Sequence, residues 1–182
     1  TTSYANFSVP RQAGTTLAVC EMGDLDAKSK EVAARSLAML ATLGRPAEKG
    51  RIGIAYPKTS VKPLQLGNTA LTMIAFLACR DRVGEEHDAL IHGMGNLLVA
   101  LQRDDGGFAP AWDQDDKARV VGADPMYAAG QAVMALVLWE AMLDASEKRP
   151  EGVPEVATLR TAIDRAMAHF SGPYWSFVVR DF

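Results

Sequence analysis

Residues 67–83 read GNTALTMIAFLACRDRV. Between Asn68 and Arg80 no Pro or Gly interrupts the run, and Leu71, Met73, Ile74, Phe76 and Leu77 fall on every side of a 3.6-residue spiral. A helix apolar all round has to be covered on all sides, by its own partner and by its neighbours. This stretch therefore predicts an innermost helix.

Two other stretches read alike, 10–22 (PRQAGTTLAVCEM) and 124–143 (DPMYAAGQAVMALVLWEAML), and each of the three carries a Gly followed by a small or polar residue: Gly14-Thr15-Thr16, Gly67-Asn68-Thr69 and Gly130-Gln131-Ala132. Each is followed by a segment apolar on one face only. Val32, Ser36, Leu37, Leu40 and Leu43 line the first, opposite Lys28, Lys30, Glu31 and Arg35. Leu90, Met94, Leu97, Leu98 and Leu101 line the second, behind a charged first turn of Glu85, Glu86 and Asp88 that suits the positive end of a helix. Val156, Leu159, Ile163, Met167 and Phe170 line the third, against Arg160, Asp164 and Arg165. After each comes a Gly- and aromatic-marked stretch suited to short strands or hairpins: 50–57 (GRIGIAYP), 106–112 (GGFAPAW) and 172–179 (GPYWSFVV).

The expected fold is all-α: three helical hairpins, inner helices leaning on one another and outer helices shielding them, with short β segments at one rim. The 182 residues, 48% of them hydrophobic, fit a single domain spanning 1–182. A net charge of −3 with scattered Lys and Arg gives no electrostatic reason for a nucleic-acid partner. Arg80 and Asp81 interrupt the longest apolar helix, so no membrane span is expected. A leader pattern and an initiator Met are both missing, which reads as a chain trimmed at its start, and a soluble, cytoplasmic setting is favoured. Cys20 and Cys79 sit on inner helices, where buried free thiols are common; their equivalent placement leaves a disulfide open as the alternative. His87, His92 and His169 read as solvated or helix-flank histidines, and no metal or cofactor is expected.

The stretches 11–21 (RQAGTTLAVCE), 65–77 (QLGNTALTMIAFL), 97–110 (LLVALQRDDGGFAP) and 124–141 (DPMYAAGQAVMALVLWEA) resemble the α/α-toroid proteins, in particular the six-hairpin glycosidase and N-acylglucosamine epimerase-like group. Residues 97–108 are also similar to the Gln-and-aromatic repeat of terpenoid cyclases and protein prenyltransferases, with Gln102, Gly106 and Phe108 in order. That resemblance implies that Gln102 ties a helix end to the following loop. A full ring of this kind has about six hairpins, and this sequence supplies three. The expectation is an arc: a fragment of a larger toroid, or a half-ring that pairs with a second copy. The inner-helix flanks around Leu17 and Val137 should then be bare unless covered.

The resemblance and the polar groups expected at the rim point to a carbohydrate-active protein, a glycoside hydrolase or sugar epimerase-like enzyme, acting on a carbohydrate or another small polar ligand. Glycoside cleavage needs two carboxyls, one protonated and one ionised, and Asp105 and Asp124 are the candidate pair. The alternative reading of each is local: Asp104-Asp105-Gly106-Gly107 as a turn, Asp124-Pro125 as a helix cap. Arg11, Gln12, Asn68, Trp112, Asp113, Tyr127 and Gln131 are the candidate ligand contacts: amides and an Arg for hydroxyl or carboxylate groups, a flat ring for a sugar face. Arg11 could equally pair with Asp124 or Glu21. A second reading is a non-catalytic helical-repeat module of a larger assembly. A third, a terpenoid cyclase or prenyltransferase, rests on Asp113-Gln114-Asp115-Asp116 and is opposed by an aromatic content of only 7%.

Overall fold

The computed structural model describes residues 7–22, 24–55, 63–146 and 148–172. The helices come as three pairs: α1 (Val9–Glu21) with α2 (Ala27–Ala41), α3 (Leu66–Val83) with α4 (Asp88–Leu101), and α5 (Ala128–Asp144) with α6 (Val156–Ser171). Short strands lie between the pairs. β1 (Gly44–Pro46) and β2 (Ile52–Ile54) form an antiparallel hairpin, and β3 (Leu64–Gln65), β4 (Ala111–Asp113) and β5 (Ala118–Arg119) form a three-stranded antiparallel sheet.

Within each pair the helices run antiparallel. Gln12, early in α1, donates to Ser36, late in α2; Arg80, late in α3, holds Asp88 at the start of α4; Glu140, late in α5, meets Arg160, early in α6. Between pairs, α1, α3 and α5 run parallel. Cys20 and Cys79 join the C-terminal halves of α1 and α3, while Gly67, at the N-terminus of α3, faces Ala128 and Gln131 at the N-terminus of α5. The chain is thus a row of three parallel inner helices with α3 in the middle, packed on both neighbours and on its own partner.

The predicted innermost helix is so: Leu66, Ala70, Met73, Ile74, Ala75, Phe76 and Cys79 of α3 are all buried. α5 is buried through Ala129, Ala132, Ala135, Leu136, Trp139 and Leu143, but Tyr127, Met134 and Val137 are exposed along its far flank, the bare edge expected around Val137. The outer helices depart from expectation in two places. On α2 the buried residues are Ala33, Leu37 and Leu40, with Val32 exposed, while Ser36 faces α1 as expected, tied to Gln12 and Thr16. On α6 Leu159, Ala162 and Ala166 face inward while Met167 is exposed. α4 is more enclosed than a half-wet helix, because β2 covers its second side: a side chain at Gly93 would collide with Ile52.

Further corrections concern the seams. Cys20 and Cys79 form a disulfide, with Cα atoms 5.1 Å apart, so the free-thiol reading fails: parallel packing of α1 on α3 brings the two positions together. The three histidines take the helix-flank alternative, each with a partner. His87 lies edge-on to Phe76, His92 accepts a hydrogen bond from Trp139, and His169 pairs with Asp124. β1 and β3 join strands expected at 50–57 and 106–112, and most of the third expected segment, 173–179, lies outside the described residues. No helix among the described residues is long and apolar enough to cross a membrane.

Candidate functional site

The polar centre of the molecule is built at the end of α4. Arg103, two residues beyond that helix, contacts both candidate carboxylates: one guanidinium nitrogen lies 2.8 Å from Asp124 Oδ2 and 3.2 Å from Asp105 Oδ2. Its other terminal nitrogen donates to the Phe108 carbonyl at 2.8 Å. Asp124 has partners on both oxygens. Its Oδ1 accepts from the Phe108 N–H at 2.7 Å, and its Oδ2 also meets His169 Nε2 of α6 at 3.0 Å. Asp105 accepts the Gly107 N–H at 3.0 Å, closing the turn that sequence alone suggests.

The loop is fixed from below as well. Gln102, at the C-cap of α4, donates to the Gly106 carbonyl at 3.3 Å and to the Ala162 carbonyl of α6 at 2.8 Å, the tie between helix end and loop that the resemblance implies for it. Arg165 of α6 donates to the Arg103 carbonyl at 2.7 Å. Gly106 has φ +93°, and a Cβ there would lie 2.4 Å from the Arg165 carbonyl oxygen, so only glycine lets α6 approach. Asp124 therefore does not cap α5, whose N-cap is Tyr127, and the helix begins four residues later than its apolar pattern suggests.

Electrostatically both carboxylates are held ionised. The Arg103 hydrogen bond keeps Asp105 below the ordinary carboxylate range. For Asp124, burial alone would raise the value, but hydrogen bonds from Arg103, the Phe108 amide and His169 outweigh it and the net displacement is downward. For Arg103, burial works against the charge, and the two carboxylates more than offset it, so its value is raised.

The remaining candidates lie apart from this cluster. Asn68 is buried at the start of α3, its amide donating to Gln65 Oε1 at 3.2 Å. Gln131 of α5 faces the neighbouring Gly67, its Oε1 3.6 Å from where a Gly67 Cβ would be, and Tyr127, the N-cap one turn earlier, is 81% exposed. Asn68, Tyr127 and Gln131 thus share the end of the molecule where the inner helices begin. Trp112 is not an open platform: it is buried in β4, and the Arg51 guanidinium stacks 4.9 Å from its ring centroid. Asp113 shapes the β4–β5 turn, its Oδ1 accepting from the Asp115 and Asp116 amides at 2.8 and 3.1 Å. Gln12 belongs to the α1–α2 seam, where Ser36 also lies 2.5 Å from Thr16, and Arg11 is exposed on α1. Among the described residues no group of three or more His, Cys, Asp or Glu side chains could hold a metal ion.

No protein-family model, no curated protein and no solved structure matches the chain.

Proposed function

We propose that this chain is an arc of an α/α toroid that binds carbohydrate, or a similarly polyhydroxylated small ligand, at the rim where its inner helices begin. The observation that supports the reading is the meeting of α3 and α5 at Gly67, where the Gln131 amide lies one turn after an exposed Tyr127. Amides pair with hydroxyls as both donor and acceptor, and a tyrosine ring supplies a flat face with a polar tip. The reading is of binding rather than hydrolysis by Asp105 and Asp124. Glycoside cleavage requires one carboxyl of the pair to stay protonated, and Arg103 holds both ionised.

The test is titration calorimetry against a panel of neutral and acidic oligosaccharides. Binding to at least one sugar, weakened about tenfold or more by Tyr127→Ala and by Gln131→Ala and left alone by Val32→Ala, is the expected result. Absence of binding across the panel, or binding indifferent to both substitutions, contradicts it.

A non-catalytic helical-repeat module of a larger assembly is the second reading, and exposed apolar residues favour it: Met134 and Val137 on α5, and Met126 just before it, are all more than two-fifths exposed. Light scattering discriminates the two, since a monomer that binds sugar argues against assembly as the main role. The disulfide favours an oxidising compartment over the cytoplasm for either reading.

A further inference from the structure

The seam between α4 and α5 is closed by one large side chain. Trp139 of α5 is fully buried, and its ring lies over Gly95 of α4 so closely that a Cβ there would sit 2.4 Å from it. The indole has one donor, Nε1–H, and it points at His92 Nδ1, 3.0 Å away on α4. That bond fixes the tautomer: Nδ1 must carry the lone pair, so any hydrogen on the neutral ring is at Nε2.

A protonated imidazole has a hydrogen on both nitrogens and no acceptor. Protonation of His92 would set two N–H groups facing each other at 3.0 Å and strip a buried indole of its acceptor, the costly kind of loss for a group water does not reach. We propose that the His92–Trp139 bond makes docking of the third hairpin acid-sensitive, so that a proton on His92 loosens α5 and α6 from α4.

The charges around His92 do not cancel the effect. Asp88, one turn earlier on α4, would favour the imidazolium, but its two oxygens are each held at 2.9 Å by Arg80 of α3. Arg80 itself opposes a second positive charge. From α5 the ring meets the neutral indole, and the next residue, Glu140, is bound to Arg160 of α6. Burial is the main cause holding the His92 pKa below its ordinary value, with Arg80 acting in the same direction and Asp88 against it. α5 also packs on α3 and α6, and the bond from Trp139 to a histidine lies at its seam with α4.

The measurement is amide hydrogen exchange of the whole chain, read by mass spectrometry at about pH 7.5 and about pH 5, which bracket an ordinary histidine. Rates are expressed as protection relative to unstructured chain, so that the intrinsic pH dependence of exchange cancels. α5 should lose about threefold or more in protection in acid relative to α2, the direction that a native pKa held below the ordinary value requires. In His92→Gln the amide oxygen can still accept from Trp139 without titrating, and the acid loss should vanish. Trp139→Phe removes the opposing donor, so its acid loss should be smaller than that of the natural protein; this variant decides the matter if His92→Gln does not fold. Equal protection at both pH values in the natural protein, or an undiminished acid loss in either variant, overturns the proposal.

Discussion

Arg103 shares one nitrogen between two carboxylates, and this governs how Asp105 and Asp124 behave. Removing the charge of Asp124 leaves Arg103 and the Phe108 amide with a poorer acceptor in a site where the Asp124 side chain is only 9% exposed. Asp124→Asn should cost roughly 3 kcal/mol, read as a lower urea midpoint at unchanged slope. Asp105→Asn should cost much less, because that carboxylate is more than half exposed. Both native values are displaced downward, so their stabilising contribution is fully present above the ordinary carboxylate pKa of about 3.9 and is lost as pH falls through the lower native values. An acid titration of unfolding should therefore show this loss only below about pH 4, and it should be absent in the double Asn variant. Asp105 and Asp124 could be picked out from sequence as unusual, but their job could not. Their common partner Arg103 sits beside an ordinary-looking turn, and His169 lies 45 residues beyond Asp124 on another helix, so no local spacing connects them.

At the scale of elements, the α4 end and its loop are clamped to α6 by Gln102, Arg165 and the close approach at Gly106. Gly106→Ala introduces a Cβ at a positive φ and against backbone, and should destabilise by about 2 kcal/mol or more. Gln102→Ala removes the buried amide that donates to both the Gly106 and Ala162 carbonyls, for a cost of about 1 kcal/mol; thermal melting checks both. The helices themselves were legible where burial is complete. α3 could be placed to within a residue of its ends because nothing on it needs water until Arg80. The start of α5 is not legible because Asp124-Pro125 spells a cap, while in the fold the Asp124 carboxylate is taken by Arg103, Phe108 and His169. The expected stripe on α2 holds at Ser36, Leu37 and Leu40 and differs at its N-terminal end, where Ala33 is buried in place of the larger Val32. β1 and β3 carry no signal of their own: they are three and two residues long, and become strands through β2 and β4.

At the scale of the molecule, the first hairpin is held to the second both by packing and by a covalent link. The Cys20–Cys79 bridge closes 59 residues of sequence separation. Loop-closure entropy for that span corresponds to about 4 kcal/mol, so reduction, or replacement of both cysteines by Ala, should lower the melting temperature markedly and increase exchange in α1 more than in α5. Two cysteines among 182 residues could not settle this in advance; only the parallel alignment of α1 on α3 does.

The account as a whole depends on α3 lying innermost in a parallel row, with the far side of α5 uncovered. The eight methionines sample that arrangement directly. In a brief pulse of hydroxyl-radical or peroxide oxidation resolved by peptide mass spectrometry, Met73 of α3 and Met94 of α4, both fully buried, should stay unmodified, while Met22, Met126, Met134 and Met167, all more than half exposed, should oxidise quickly. Oxidation of Met73 in the folded protein at a rate near that of Met126 would contradict it.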